Sequence, residues 1–152
     1  MESSALAGWE RTDVEVDDSP DRKPLLLEGL RVLVVDDDPE AREAIAAVLE
    51  AQGAYVTPVG SAGTALRAIG WRIPDVLVSD IAMPGTDGHA FIRRVRALTT
   101  ARGGGTPAAA VTAYATPADQ TRALLSGFQT YLPKPFEPDE LIAMVARLTG
   151  RD

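Results

Sequence analysis

The stretch VLVVDDDP, residues 32–39, joins a wholly apolar run to three consecutive aspartates and a proline. A short run of Val and Leu is typical of a strand buried on both faces of a parallel sheet. Asp38 followed by Pro39 favours a helix start, because Asp is a good N-cap and Pro fits the first helical turn. The stretch therefore predicts a buried strand that leads through an acidic turn into a helix.

The same alternation continues along the chain. Further apolar runs predict strands at 55–59, 76–78, 108–112 and 128–132, and apolar stripes at helical spacing lie at 41–49, 62–69, 91–98 and 141–148. Residues 117–126, behind Thr116 as N-cap, predict a helix with few apolar positions, which we expect to be the least firmly packed. Strand and helix alternate five times, which predicts an α/β fold with a parallel sheet and helices on both faces.

The acidity of the chain lies at its amino terminus. Residues 1–21 hold seven acidic residues and one arginine, whereas the whole chain has a net charge of −7, so the remainder is nearly balanced. Residues 1–28 show no apolar periodicity, and we expect them to be a disordered acidic tail or linker before a single domain at 29–150. Trp9 in this tail is either incidental or an anchor for a partner.

Composition excludes several classes of protein. The absence of cysteine excludes disulfides and thiolate metal sites. No apolar run approaches the roughly 18 residues of a membrane span, and the first ten residues lack the features of a signal peptide. We therefore expect a cytoplasmic protein with no membrane partner.

The basic residues and the single histidine suggest surface roles only. Arg93, Arg94, Arg96 and Arg102 form the densest basic group, which we interpret as a solvated helix face, so no nucleic-acid partner is expected. His89 is expected to face solvent at the start of a helix.

Polar side chains follow the predicted strands at their carboxyl ends. Asp36 and Asp37 follow the first strand, and Asp80 follows the third. Thr112 ends the fourth strand, and Lys134 follows the fifth. Parallel sheets bind ligands at this edge, so we expect these side chains to meet. Clustered carboxylates need a cation, and Mg²⁺ suits oxygen ligands combined with water and phosphate. A carboxylate can also accept a phosphoryl group whose charge a metal, a lysine and a hydroxyl stabilise.

Four segments together resemble the receiver domains of two-component response regulators. They are VVDD at 34–37, DIAMPGTDG at 80–88, VTA at 111–113 and KPF at 134–136. Their order and spacing resemble those of the family over about residues 30–148, which implies a receiver domain at 29–150. The resemblance implies one doubly wound, flavodoxin-like sheet of five parallel strands in the order 2-1-3-4-5, with five helices. It also implies a cis Lys134–Pro135 bond.

The resemblance implies a metal and acceptor site. Asp80 corresponds to the phosphoacceptor, which would also bind Mg²⁺. Asp37 corresponds to a direct Mg²⁺ ligand, and Asp36 to its acidic partner acting through water. Ala82 would offer its backbone carbonyl to the ion.

Three further positions correspond to residues that respond to the phosphoryl group. Thr112 corresponds to the hydroxyl that moves toward it, and Lys134 to the ammonium that pairs with it. Tyr131 corresponds to the switch aromatic, although a half-buried strand tyrosine without that role would give the same pattern.

The implied function is a phosphorylation switch rather than an enzyme that turns over another substrate. Its partner would be a sensor histidine kinase or a phosphotransfer protein, and a homodimer would form through the fourth helix, fifth strand and fifth helix. The chain would be a stand-alone regulator or the receiver of a hybrid sensor kinase. LEGL at 27–30 and TAYA at 112–115 favour the hybrid kinase.

Two other functions remain open from the sequence. A haloacid-dehalogenase-type phosphatase also uses Mg²⁺ and an apolar strand that ends in Asp-x-Asp, as in Asp36-x-Asp38. Pro39-Glu40 replaces the Gly-Thr expected next, however, and Asp80 would have no role. A pseudo-receiver that acts as an interaction module without phosphorylation is the second alternative.

Overall fold

A computed structural model describes residues 25–83, 85 and 87–152, and it has the predicted α/β architecture. The strands are β1 (Arg31–Val35), β2 (Tyr55–Val59), β3 (Val76–Ser79), β4 (Ala108–Thr112) and β5 (Thr130–Pro133). The helices are α1 (Pro39–Glu50), α2 (Ala62–Trp71), α3 (Gly88–Arg96), α4 (Pro117–Ser126) and α5 (Pro138–Leu148), with a 3₁₀ turn at Thr100–Arg102.

The strands form one parallel sheet in the order β2-β1-β3-β4-β5, which confirms the expected order. Side chains of each strand alternate between two buried layers. Leu33 and Leu77 lie in the layer with α2, α3 and α4, whereas Val34 and Val78 lie in the layer with α1 and α5. Burial on both faces explains why β1 is apolar from Val32 to Val35 and β3 from Val76 to Val78. The strand order reverses between β1 and β3, so a crevice opens at their carboxyl ends.

Side-chain caps fix where the helices begin. The Asp38 carboxylate accepts a hydrogen bond from Glu40 N at 3.1 Å, and Ser61 Oγ accepts one from Thr64 N at 3.2 Å. Thr116 and Asp119 form a reciprocal capping box at the start of α4. Each capping bond satisfies a backbone N–H that has no partner inside its helix. The caps at Asp38 and Thr116 confirm the starts predicted for α1 and α4.

Two predicted boundaries were wrong. Leu27 is fully buried in the core with α1 and α5, and its N–H donates to Gln52 O at 3.0 Å. The packed chain therefore includes Leu27, which lies inside the predicted tail of residues 1–28. Residues 1–24, with Trp9, lie outside the described residues. β5 begins at Thr130 rather than at Phe128, because the N–H of Phe128 donates to Ala123 O at 3.2 Å and so belongs to the end of α4.

α4 is weakly packed, as its sequence predicted. Only Ala123 and Ser126 of this helix are buried, and Leu125 is 83% exposed. Within the described part of the chain, every helix is too short or too polar to cross a membrane.

Candidate functional site

Three aspartates meet at the carboxyl edge of the sheet. Asp36 and Asp37 follow β1, Asp80 follows β3, and carboxylate oxygens of all three lie within 4.8 Å of one another. Neighbouring parallel strands bring them together, because Val35 pairs with Ser79 in the β1–β3 register. Asp36 is buried, and Asp37 is exposed to solvent. This donor set fits Mg²⁺, which takes a few carboxylate oxygens and keeps several waters.

Lys134 lies against two of these carboxylates. Its Nζ is 3.0 Å from Asp36 Oδ2 and 3.3 Å from Asp80 Oδ2. Burial alone would lower the pKa of Lys134, but the hydrogen bond to Asp36 and the charge of Asp80 raise it above its ordinary value. The lysine is therefore a fixed positive charge that partly neutralises the acidic cluster. The Lys134–Pro135 peptide bond is cis, as expected.

Backbone groups orient the carboxylates. Asp36 Oδ1 accepts from Asp38 N at 3.0 Å, and Asp80 Oδ1 accepts from Ile81 N at 2.7 Å. The second oxygen of each residue, Oδ2, faces Lys134. Each aspartate is thus held by its own turn on one side and by the ammonium on the other.

Gly88 is hydrogen-bonded to the start of the segment that follows Asp80. Its N–H donates to Ile81 O at 2.7 Å. A Cβ on Gly88 would lie 2.5 Å from Asp80 O and 2.6 Å from Ile81 Cα, so a larger residue would displace the backbone that carries Asp80. The second glycine of the DIAMPGTDG segment, Gly88, is therefore required by close backbone approach.

Thr112 and Tyr131 lie on β4 and β5. Thr112 is buried at the end of β4, and its Oγ1 accepts from Tyr114 N at 3.1 Å. Lys134 N donates to Thr112 O at 2.9 Å, which places the threonine beside the lysine. Tyr131 is half-buried and packs against the core formed with α2, α3 and α4. A static arrangement of this kind fits a switch aromatic and a simple strand tyrosine equally, so its role stays a prediction.

A cleft of about 570 Å³ connects the acidic cluster to α4. Asp37 and Ala82 line it on one side, and Tyr114 and Arg122 line it on the other. Ala82 is exposed, and its N–H lies 3.3 Å from Asp80 Oδ1. The cleft gives water and small molecules access to Asp37, the exposed member of the acidic cluster.

His89 was predicted to face solvent, and this prediction was wrong. The residue is only 4% exposed, and its Nδ1 lies 2.8 Å from Ser126 Oγ at the end of α4. Burial lowers the pKa of His89, and the nearby Arg122 lowers it further. The first turn of α3 is covered by α4, a contact that the local sequence does not reveal.

The interpretation of the arginine group as a solvated face was wrong for Arg96. Its Nε donates to Gly127 O at 2.9 Å, and its Nη1 donates to Thr106 O at 2.6 Å. The guanidinium therefore joins α3 to the segments before β4 and β5. The other three arginines of the group are exposed, as expected. The sequence signal for this contact is helical spacing, because positions 89, 92 and 96 lie on one stripe of α3 and a stripe of this kind faces a neighbouring element.

Comparison with known proteins agrees with this geometry. Residues 32–146 match the family described as the response regulator receiver domain. The chain belongs to this family. It is 47% identical over 119 residues to an uncharacterized 14.6 kDa protein of Leptolyngbya boryana, across 78% of this chain and 89% of that protein. It is 38% identical to the DNA-binding response regulator MtrA of Mycolicibacterium smegmatis, across 78% of this chain and 50% of MtrA. The receiver thus spans about half the length of that relative.

A solved receiver domain with a bound ion is also similar. It belongs to a sensor histidine kinase of Pseudomonas aeruginosa and has a magnesium ion in its active-site cleft. The TM-score is 0.73 at 32% identity, over 80% of this chain and 98% of that chain. Receiver domains are generally signalling modules rather than catalysts of a separate reaction, so the phosphatase alternative is not supported.

Proposed function

We propose that this receiver is a phosphorylation switch that takes a phosphoryl group onto Asp80 from a phosphohistidine of a sensor kinase or phosphotransfer protein. The observation that supports this most is the meeting of Asp36, Asp37 and Asp80 within 4.8 Å, with Lys134 against the cluster. In the transfer, Asp80 would form a P–O bond while the P–N bond to the donor imidazole breaks.

The residues around Asp80 have the chemistry that this transfer needs. Asp37 and Asp80 would hold Mg²⁺ with the Ala82 carbonyl, and Asp36 would act through water. When bound, the ion supplies positive charge to the phosphoryl oxygens. Lys134 adds a second positive charge beside Asp80 Oδ2. The Thr112 hydroxyl, at the neighbouring strand end, would donate to a phosphoryl oxygen after turning away from Tyr114 N.

Acetyl phosphate tests the assignment of Asp80. With Mg²⁺ present, intact-mass spectrometry should show one added phosphoryl group on the parent protein and none on Asp80→Asn. Asp38→Asn is a matched control, because it neutralises an adjacent acid while Asn remains a good N-cap. Equal labelling of Asp80→Asn would reject the acceptor. Failure of the parent to take phosphate or to bind beryllofluoride would favour the phosphorylation-independent module.

Signalling would follow a change in α4 and its flanking segments. α4 buries few residues, and weakly packed elements are the ones that can move between states. We therefore expect beryllofluoride to change amide exchange most in residues 113–131. Changes confined to α1 would contradict this route.

The choice of partner remains part of the proposal. The similar magnesium-bound receiver from a sensor histidine kinase supports a hybrid-kinase parent for this receiver. MtrA is named a DNA-binding protein, but the receiver spans only half of it, so the expected lack of a nucleic-acid partner stays a prediction. A homodimer through α4, β5 and α5 would cover the exposed Leu124 and Leu125.

A further inference from the structure

The carboxyl end of α4 is the part of this helix that is held most firmly. Its two buried residues, Ala123 and Ser126, lie in its last turns, and Leu124 and Leu125 between them are exposed. A helix with so little buried surface depends on specific contacts for its position.

One stripe of α3 supplies those contacts. His89, Ile92 and Arg96 lie on one face of that helix and meet the end of α4. Gly127, with φ of 130°, packs directly on the stripe: a Cβ there would lie 2.9 Å from Arg96 Cγ and 3.3 Å from Ile92 Cγ1. The absence of a side chain at Gly127 therefore lets the two helices approach closely.

The polarity of the His89–Ser126 hydrogen bond follows from the other partner of the serine. Ser126 Oγ donates to Arg122 O at 2.8 Å. A hydroxyl has one hydrogen, so toward the histidine Ser126 Oγ acts as acceptor and Nδ1 of His89 carries the proton. Both side chains are buried, at 4% and 9% exposure, so the bond is shielded from competing water.

His89 is also joined to the segment that carries Asp80. It directly follows Gly88, which donates to Ile81 O and leaves no room for a Cβ against Asp80 O. A displacement of the Asp80 backbone toward Gly88 would therefore press on Gly88 and, through it, on His89. Ser126 receives that movement through a single hydrogen bond of 2.8 Å.

We propose that His89 is a positioning residue that transmits the state of Asp80 to α4 through its hydrogen bond to Ser126. This rests on the proposed function of Asp80. The link lies on the α3 side of α4 and is separate from Thr112 and Tyr131, which lie on β4 and β5.

Amide exchange in residues 117–126, measured with and without Mg²⁺ and beryllofluoride, tests the link. Ser126→Ala and His89→Leu each remove one partner of the His89–Ser126 hydrogen bond. Without beryllofluoride, amide exchange in α4 should therefore be about tenfold faster than in the parent protein, as expected for a lost buried hydrogen bond. In both variants, the ratio of α4 exchange rates with and without beryllofluoride should be closer to one than in the parent protein. His89→Asn, which places an amide N–H near the position of Nδ1, should restore much of the ratio.

Thr121→Ala is the matched control in the same helix. Thr121 Oγ1 donates to Pro117 O within α4, so the variant loses a hydroxyl hydrogen bond but no contact with α3. Its exchange ratio should equal that of the parent. The double variant His89→Leu with Ser126→Ala should change the ratio no more than either single variant.

The outcomes separate this proposal from the one on which it rests. If the variants show faster α4 exchange but the same ratio of rates with and without beryllofluoride as the parent, the His89–Ser126 hydrogen bond is only structural. That result would overturn the link. If the parent itself does not bind beryllofluoride, the function proposed for Asp80 fails, and the link fails with it. Should His89→Leu not fold, Ser126→Ala and His89→Asn still decide the result.

Discussion

Lys134 Nζ lies 3.0 Å from Asp36 Oδ2, although the two residues are 98 positions apart in the chain. β3 and β4 lie between their strands in the sheet, so the lysine side chain reaches along the carboxyl edge. Asp36 is buried and paired with this ammonium, whereas Asp37 is exposed on the cleft. Asp37 is thus the carboxylate most open to a cation from solvent.

Replacing Asp37 with alanine should weaken Mg²⁺ binding by roughly tenfold or more. The variant removes one of the proposed ligands, and titration calorimetry measures the loss. Its thermal stability should be unchanged or higher, because one carboxylate fewer repels Asp80. Asp38→Asn should bind Mg²⁺ like the parent. An unchanged affinity in Asp37→Ala would place the ion elsewhere.

Much of the fold and the site was predictable from VLVVDDDP and the segments like it. A strand buried on both faces must be largely apolar, which makes β1 and β3 visible in the sequence. Polar residues placed directly after such strands must reach the same edge, so the meeting of Asp36 and Asp80 followed from topology. The strand order came from the family resemblance rather than from the residues.

The errors concern contacts between elements that are distant in sequence. Helical spacing places His89 and Arg96 on one stripe of α3, but it does not indicate that Ser126 and Gly127 will lie against that stripe. Leu27 stands in a short apolar group without periodicity, and only its packing against α1 and α5 shows that it belongs to the core. The burial of such residues depends on how the helices pack against one another, and local sequence patterns do not specify that packing.

Deleting residues 1–24 should change the free energy of unfolding by no more than about 0.5 kcal/mol, because the segment is acidic and has no apolar stripe. Leu27→Ala, just beyond the deletion, should cost about 2–5 kcal/mol, since Leu27 is fully buried. Urea unfolding at neutral pH compares the two. A loss of several kcal/mol on deletion would show that the acidic segment packs on the domain.

The stability of the protein should fall as the pH drops below about 6.5, the ordinary histidine pKa. Burial and Arg122 lower the pKa of His89 in the folded state, so the unfolded chain binds the proton more readily. The stabilisation is therefore complete above the unfolded pKa and is lost as pH falls toward the folded one. The slope can reach at most ~1.4 kcal/mol per pH unit for one group.

Urea unfolding between pH 5.5 and 7.5 measures this slope. His89 is the only histidine in the chain, so His89→Asn removes the titrating group and should flatten the curve. Asp87 and Asp119 oppose the effect of Arg122 and Arg93, and all four remain in the variant. A variant curve as steep as that of the parent would assign the slope to other groups.

The lifetime of phosphorylated Asp80 should depend on Ala82 and Tyr114. Both line the cleft beside the acidic cluster, and Tyr114 is 60% exposed. Hydrolysis needs a water aligned with phosphorus, but the alanine offers it no hydrogen bond and the tyrosine ring can cover its approach. Ala82→Asn combined with Tyr114→Glu should therefore accelerate loss of the phosphoryl group by roughly tenfold or more, about 1.4 kcal/mol in the barrier.

Intact-mass spectrometry after removal of acetyl phosphate follows the decay. Ala82→Val combined with Tyr114→Leu is the matched control, because it changes the same two side chains without adding a group that orients water. If polar side chains speed hydrolysis by orienting the water, only Ala82→Asn combined with Tyr114→Glu should lose the phosphoryl group faster than the parent. Equal acceleration in the apolar control would show that opening the cleft is sufficient. Decay no faster than that of the parent in both variants would mean that water access at these positions does not limit the lifetime.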